Sequence, residues 1–306
     1  MATTGRRSSP PTFSKAKIPS STTSSPAVRS PGPLRLFRLT RLTVGHPLIH
    51  LGYAFELSSR ELAMEALGLA TTSYNFLHKY LDDPSYTQPP KSSSTTSPLT
   101  ILVRIHKDSR LNDLPANSSI ASLFETHEAL LMEYWNAWTL PNPTKQFEES
   151  QQAAVALLVA THPPVGHNSY DFFLVHLLTT SHAVRILLPL IPAKHHVTLV
   201  RQWFLLTIAV YISQHRLSID LDNIHKYDTE GKGWEYAGRE AREGKHSRDA
   251  HFVKAVRAMK VAEGTWGEND GFWCKAAVKF AREFGGWGFG VAVEGRERRG
   301  SAGAGL

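Results

Sequence analysis

From residue 45 onward, apolar side chains return every three or four positions and almost never every second position. That spacing constrains the fold more than any other feature of the chain. Leu62, Ala66, Leu69, Ala70, Tyr74, Leu77 and Leu81 follow it, which places them on one side of helices with a single buried face. The same texture predicts helices over about 120–139, 145–160, 168–190, 194–214, 249–263 and 271–284. Strands would need sustained alternation, or hairpin dipeptides between β-branched runs, and neither is present. The expected fold is all-α, an irregular multi-helix domain, with no fixed-period repeat of the kind that builds a solenoid.

The breaks between helices can also be read. Pro47 suits a first helical turn. The stretch Asp82–Pro98 closes on a Ser/Thr-rich run and reads as an exposed loop. Pro163-Pro164, Pro189 with Pro192, and the polar stretch Ser218–Lys245 separate later helices. Residues 1–40 are rich in Ser, Thr, Pro and Arg with few bulky apolar groups, a composition that cannot offset the entropy of ordering, so a disordered N-terminal tail is expected there. A helical domain over 45–290 follows. The glycine-rich end from Gly285 is expected to fray, with 291–306 as a flexible tail.

Charge excludes one class of partner. The chain of 306 residues carries a formal +7, yet Arg6, Arg7, Lys15, Lys17, Arg29, Arg35, Arg38 and Arg41 stand in a segment with no acid before Glu56. Beyond that segment 26 basic residues face 27 acidic ones, which leaves no basic field for phosphate, and no nucleic-acid partner is expected. The apolar runs Trp203–Ile212 and Phe172–Leu178 fall short of the ~20 residues that span a bilayer, so they read as core helices and no membrane partner is expected. One cysteine, Cys274, excludes an intrachain disulfide and a thiolate-rich zinc site, which fits a reducing compartment. A cytoplasmic location follows. Mitochondrial targeting by the tail is the alternative, opposed by Pro10, Pro11, Pro19, Pro26, Pro31 and Pro33, which break the amphipathic helix such signals use.

The chemistry lies in the placement of the 15 histidines. His46 and His50, four apart, stand about 40° from each other around a helix, so both rings can address one target, although such pairs also arise by chance. His176 sits inside Asp171-Phe-Phe-Leu-Val-His-Leu-Leu178, where its ring must be buried with a partner; that partner is either a metal ion or a backbone carbonyl. His182, six residues on, lies about 120° away and is expected not to face the same centre. His251 and Lys254 share a helix face. An ammonium cannot ligate, but a buried lysine loses its proton readily, and a neutral amine that takes up CO2 becomes an oxygen donor. The bland alternative is a Lys254 that reaches to solvent.

Flavin and nicotinamide fingerprints are absent, since Gly285-Gly-Trp-Gly-Phe-Gly290 follows a helix and opens no strand–turn–helix unit. A Gly-x-Ser-x-Gly elbow and a phosphate-binding loop are absent too. No cofactor-binding motif and no catalytic residue can be named from pattern.

Four ordered blocks carry a resemblance: His46-Pro-Leu-Ile-His-Leu-Gly-Tyr-Ala54, Tyr74-Asn-Phe-Leu-His-Lys-Tyr80, Asp171-Phe-Phe-Leu-Val-His176 and Asp249-Ala-His-Phe-Val-Lys-Ala-Val-Arg257. With these blocks the chain resembles the questin oxidase-like family of fungal polyketide oxidoreductases from about Gly45 to Trp287. The resemblance implies an α-helical oxidoreductase that oxidises or ring-cleaves an anthraquinone-like aromatic polyketide in secondary metabolism. It would use O2 as oxidant, NADPH as reductant and a non-haem Fe(II) centre. Carried onto this chain, it gives His46, His50, His176, His251 and Lys254 as the metal ligands, with Lys254 in carboxylated form. Imidazoles plus one oxygen donor suit Fe(II) and leave a position for O2, although zinc accepts the same set. An aromatic substrate would then lie against Tyr53, Tyr170, Phe173 or Trp203, among which spacing does not choose. Members usually carry a further N-terminal segment where this chain has its Ser/Pro/Arg tail. The alternative expectation is therefore a truncated, non-catalytic helical remnant that acts as a binding or structural protein.

Overall fold

The computed structural model describes residues 45–73, 75–115, 118–161 and 169–288. The expected tails at 1–40 and 291–306, together with Tyr74 of the second block, lie outside the described residues. Among the described residues twelve α-helices follow one another: α1 His46–Glu56, α2 Arg60–Thr72, α3 His78–Asp82, α4 Pro98–Lys107, α5 Ile120–Asn136, α6 Pro143–Val159, α7 Phe172–Leu187, α8 His196–Ser213, α9 Asp222–His225, α10 Trp234–Glu243, α11 Ala250–Trp266 and α12 Phe272–Glu283. The fold is all-α in character, as the periodicity predicts, and the later helices begin and end within a few residues of expectation.

Helix α7 is the centre of the arrangement, packed against α1, α6, α8 and α11. It is buried nearly all round from Leu174 to Val184, as is α8 from Leu199 to Ile212. By length and composition the helical segments Phe172–Leu190 and Ala193–Ser213 are sufficient to cross a bilayer, a correction to the expectation that the apolar runs fall short. Because 72% of each apolar window is buried against neighbouring helices, both serve as core here.

Local sequence fixes where the central helices start. Asp171 caps α7, its Oδ1 accepting hydrogen bonds from the amides of Phe173 and Leu174. Asp249 caps α11 in the same way through the amides of His251 and Phe252. Such caps satisfy amides that have no partner within the helix. Small residues then let α1 approach α7 closely: a Cβ on Gly52 would lie 2.5 Å from Ala183 Cβ, and one on Gly45, whose φ is +87°, would lie 2.2 Å from Thr180 Cγ2.

The second carboxylate oxygen of Asp171 is buried without a hydrogen-bond partner, and burial raises this carboxyl to about 6 against the two capping amides that lower it. A folded-state pKa raised above the unfolded value means that stability is fully present below about 3.8 and is lost as pH rises through about 6. Asp171→Asn keeps the cap and removes the charge. It is expected to match the wild type at pH 4 and to exceed it by about 1–2 kcal/mol at pH 7, after discounting for partial exposure. Urea unfolding at both pH values checks this, and parallel pH profiles would refute it.

Two expectations need correction, and a third, the exposed loop Asp82–Pro98, holds with added detail. The stretch Ser218–Lys245 is not only a break, because α9 and α10 lie within it; α10 buries just Ala237 and Ala241, too small an apolar signal to stand out among charges. The break Asp82–Pro98 carries a 3-10 turn at Pro84–Tyr86, and its far end is tied to Trp138 by a parallel bridge from Thr95. The glycine-rich end does not simply fray. Gly286–Gly288 forms strand β2, which pairs in parallel with β1, Ser169–Asp171, in the register Tyr170 opposite Trp287. Strands of three residues are too short to display alternation.

Candidate metal centre

Helices α1, α7 and α11 each place one histidine at a common point. One ring nitrogen from each of His46, His176 and His251 lies within 4.8 Å of the other two. His46 Nε2 and His176 Nε2 are 3.2 Å apart, and the ring centres of His176 and His251 are separated by 4.9 Å. His176 is 1% exposed, whereas His46 and His251 are half-buried, so the cluster is closed behind His176 and opens past the other two.

The tautomer of His176 follows from its hydrogen bonding. Its Nδ1 donates to the Phe172 carbonyl at 2.7 Å, which leaves the lone pair on Nε2, toward His46. Burial, opposed by that bond and reinforced by His46, His251 and Lys254, holds the ring down to about 3, so it is neutral at physiological pH. His251 is lowered by burial and by Lys254 against the pull of Asp249, and its Nε2 is buried without a hydrogen-bond partner.

This donor set fits an ion. Two imidazole nitrogens held about 2.1 Å from one metal are about 3.0–3.4 Å apart in adjacent positions and about 4.2 Å apart in opposite ones. The 3.2 Å pair meets the first distance, and the 4.8 Å limit is slightly wider than the second. A neutral ring with its lone pair directed inward, as His176 has, is what such an ion requires.

The two remaining predicted ligands lie beside this group. His50 stands edge-on to His46 with ring centres 6.1 Å apart, and its Nδ1 lies 3.3 Å from Glu65 Oε2 on α2. Lys254 is half-buried, one turn beyond His251, and makes no hydrogen bond or ion pair among the described residues. Burial lowers its ammonium, with Asp249 opposing, which raises the share of neutral amine.

His182 belongs to a different group. Completely buried, it lies with Nε2 3.1 Å from Glu56 Oε2, and Glu56 also meets Arg257 at 3.0 Å. Burial alone would raise Glu56, but the bonds from His182 and Arg257 outweigh it and hold the carboxylate at about 2. This trio joins the same three helices at a second level.

For the four aromatic residues weighed from sequence, the ring contacts found among the described residues lie away from the three histidines. Tyr53 packs on His182, Tyr170 on Phe280 and Phe284, Phe173 on Phe172, and Trp203 on Trp138 and Phe147. The rings that touch the cluster are Phe172, 4.8 Å from His176 and 4.6 Å from His251, and Trp287, 6.1 Å from His251. For Phe172, its position four residues before His176 on the same helix was the available signal.

A search of curated proteins finds no match to this chain. The family model described as Questin oxidase-like matches residues 34–259, a span that holds all three clustered histidines and Lys254. On that match the chain belongs to the Questin oxidase-like family, whose description implies an oxidoreductase.

Proposed function

We propose that the chain is an O2-dependent oxidoreductase of secondary metabolism that oxidises, or cleaves a ring of, an anthraquinone-like aromatic polyketide. Its centre is a non-haem iron site held by His46, His176 and His251, with His50 and Lys254 as further ligands. The observation that carries this reading is the meeting of three imidazoles from three helices around a His176 whose free lone pair points toward His46. Bound there, Fe(II) supplies the electron exchange with dioxygen that zinc cannot.

The residues divide the work. His176, neutral and fixed by the Phe172 carbonyl, keeps a donor aimed inward at every working pH. Phe172 covers His176 and His251 and keeps water from that side. The neutral amine of Lys254 attacks CO2, forming an N–C bond and releasing one proton, and so provides an anionic oxygen beside the histidines. In monooxygenation one oxygen atom enters the substrate and the other leaves as water, with two electrons from NADPH; in dioxygenation both atoms enter and no reductant is used. NADPH consumed per O2 separates the two.

The test is iron itself. Anaerobic reconstitution with Fe(II) is expected to give about one equivalent per chain, and less than about one tenth of an equivalent defeats the reading.

A further inference from the structure

Trp287 lies beyond the residues that the family model matches, on a segment whose composition predicted fraying. Its ring centre is 6.1 Å from His251 and 5.9 Å from Phe172. It also packs on Phe280 and Phe284, at 6.1 Å and 4.7 Å. Those last two rings are 0% and 6% exposed, whereas Trp287 is half-buried. With Phe172, which is half-buried as well, it is where this aromatic group comes to the surface, next to the open side of the histidine cluster.

The indole is fixed from two directions. Its Nε1 donates to Asp249 Oδ2 at 2.7 Å, and Asp249 caps the helix that carries His251. Its backbone pairs with Tyr170 in the short parallel sheet, and β1 runs directly into the capping Asp171 of the helix that carries His176. Trp287 is thus tied to the first turns of α7 and α11, two of the three ligand-bearing helices. A tryptophan needed only as filler would not require these two anchors, and with its N–H engaged it has ring surface alone to offer a ligand.

We infer that Trp287, with Phe172 behind it, is the wall against which a planar aromatic substrate stacks beside His251, a specificity-determining contact that rests on the reading of the cluster as an oxygenase centre. Stacking reads the flat ring system and tolerates changes in its substituents. Such a wall selects a class of polycyclic aromatic rather than one hydroxylation pattern.

Anthraquinone-2-sulfonate is a soluble planar probe for this contact. Under argon, iron-loaded wild type, Trp287→Phe and Trp287→Leu are titrated with it by calorimetry, with iron content measured on each. Wild type should bind, the Phe variant within about threefold of it, and the Leu variant at least roughly tenfold more weakly, all three with equal iron. Binding by the Leu variant as tight as wild type overturns the inference, as does a wild type that does not bind the probe. If the Leu variant loses its helical circular dichroism, Trp287→Met replaces it under the same criterion. If the wild type fails to load iron, the oxygenase reading falls. The titration repeated on metal-free chains then still decides the wall, since an aromatic preference at position 287 must persist there and equal binding overturns it.

Discussion

Replacing His176 by alanine should remove stoichiometric iron while leaving a folded chain, and replacing His182 by alanine should do the reverse. The two residues lie on one helix and are both buried, so a simple count of buried histidines would treat them alike. Their partners separate them. His176 faces His46 and His251, and its loss takes away the central donor of the cluster, expected to weaken iron binding on the order of 100-fold or more. His182 instead holds Glu56. Its loss leaves a half-buried carboxylate with Arg257 alone, at a cost of about 1–3 kcal/mol of stability. Iron per chain and urea unfolding, measured on both variants, give crossed results if the assignment is right. Equal iron losses would mean that the wrong face of α7 has been assigned.

A second pair of substitutions tests how the cluster is assembled. Gly68 in α2 has nothing within 4 Å of an added Cβ, so Gly68→Ala should stabilise by about 0.5–1 kcal/mol through helix propensity alone. Gly52→Ala carries the same propensity gain, but the new methyl would fall 2.5 Å from Ala183 Cβ and 2.6 Å from Ala183 Cα. Backbone cannot rotate away, so α1 must separate from α7, and overpacking of this kind costs about 1–3 kcal/mol. Since α1 brings His46 to within 3.2 Å of His176, the same displacement should lower iron affinity by roughly tenfold or more. Melting temperature and iron titration are the measurements. A Gly52→Ala variant that behaves as Gly68→Ala does would show that the close approach of α1 and α7 does not hold the site.

Some of this site was open to reading along the chain. His46, His176 and His251 stand in apolar helical runs, where a polar ring needs a partner, and the three converge in space. The separation of His182 from His176 was also legible, because 120° around one helix is a property of that helix alone. His50 was less so: four residues from His46, it is near enough to meet it edge-on, but its Nδ1 turns toward Glu65 on α2, a neighbour that only packing supplies. Phe172 was overlooked in favour of rings elsewhere in the sequence. Trp287 left no trace, since its place depends on pairing Gly286–Gly288 with a strand more than a hundred residues earlier.

The sequence by itself determined the helical class, the buried character of α7 and α8, the caps that start α7 and α11, and the set from which the clustered histidines are drawn. These follow from spacing and side-chain chemistry within a single helix, where geometry is fixed by the 3.6-residue turn. The tertiary structure decided which of those histidines meet, which aromatic rings stand beside them, and that the glycine-rich end returns to the site. Each of these depends on contacts between distant segments, set by how closely α1 can approach α7 and by a two-strand pairing, and no local period encodes either.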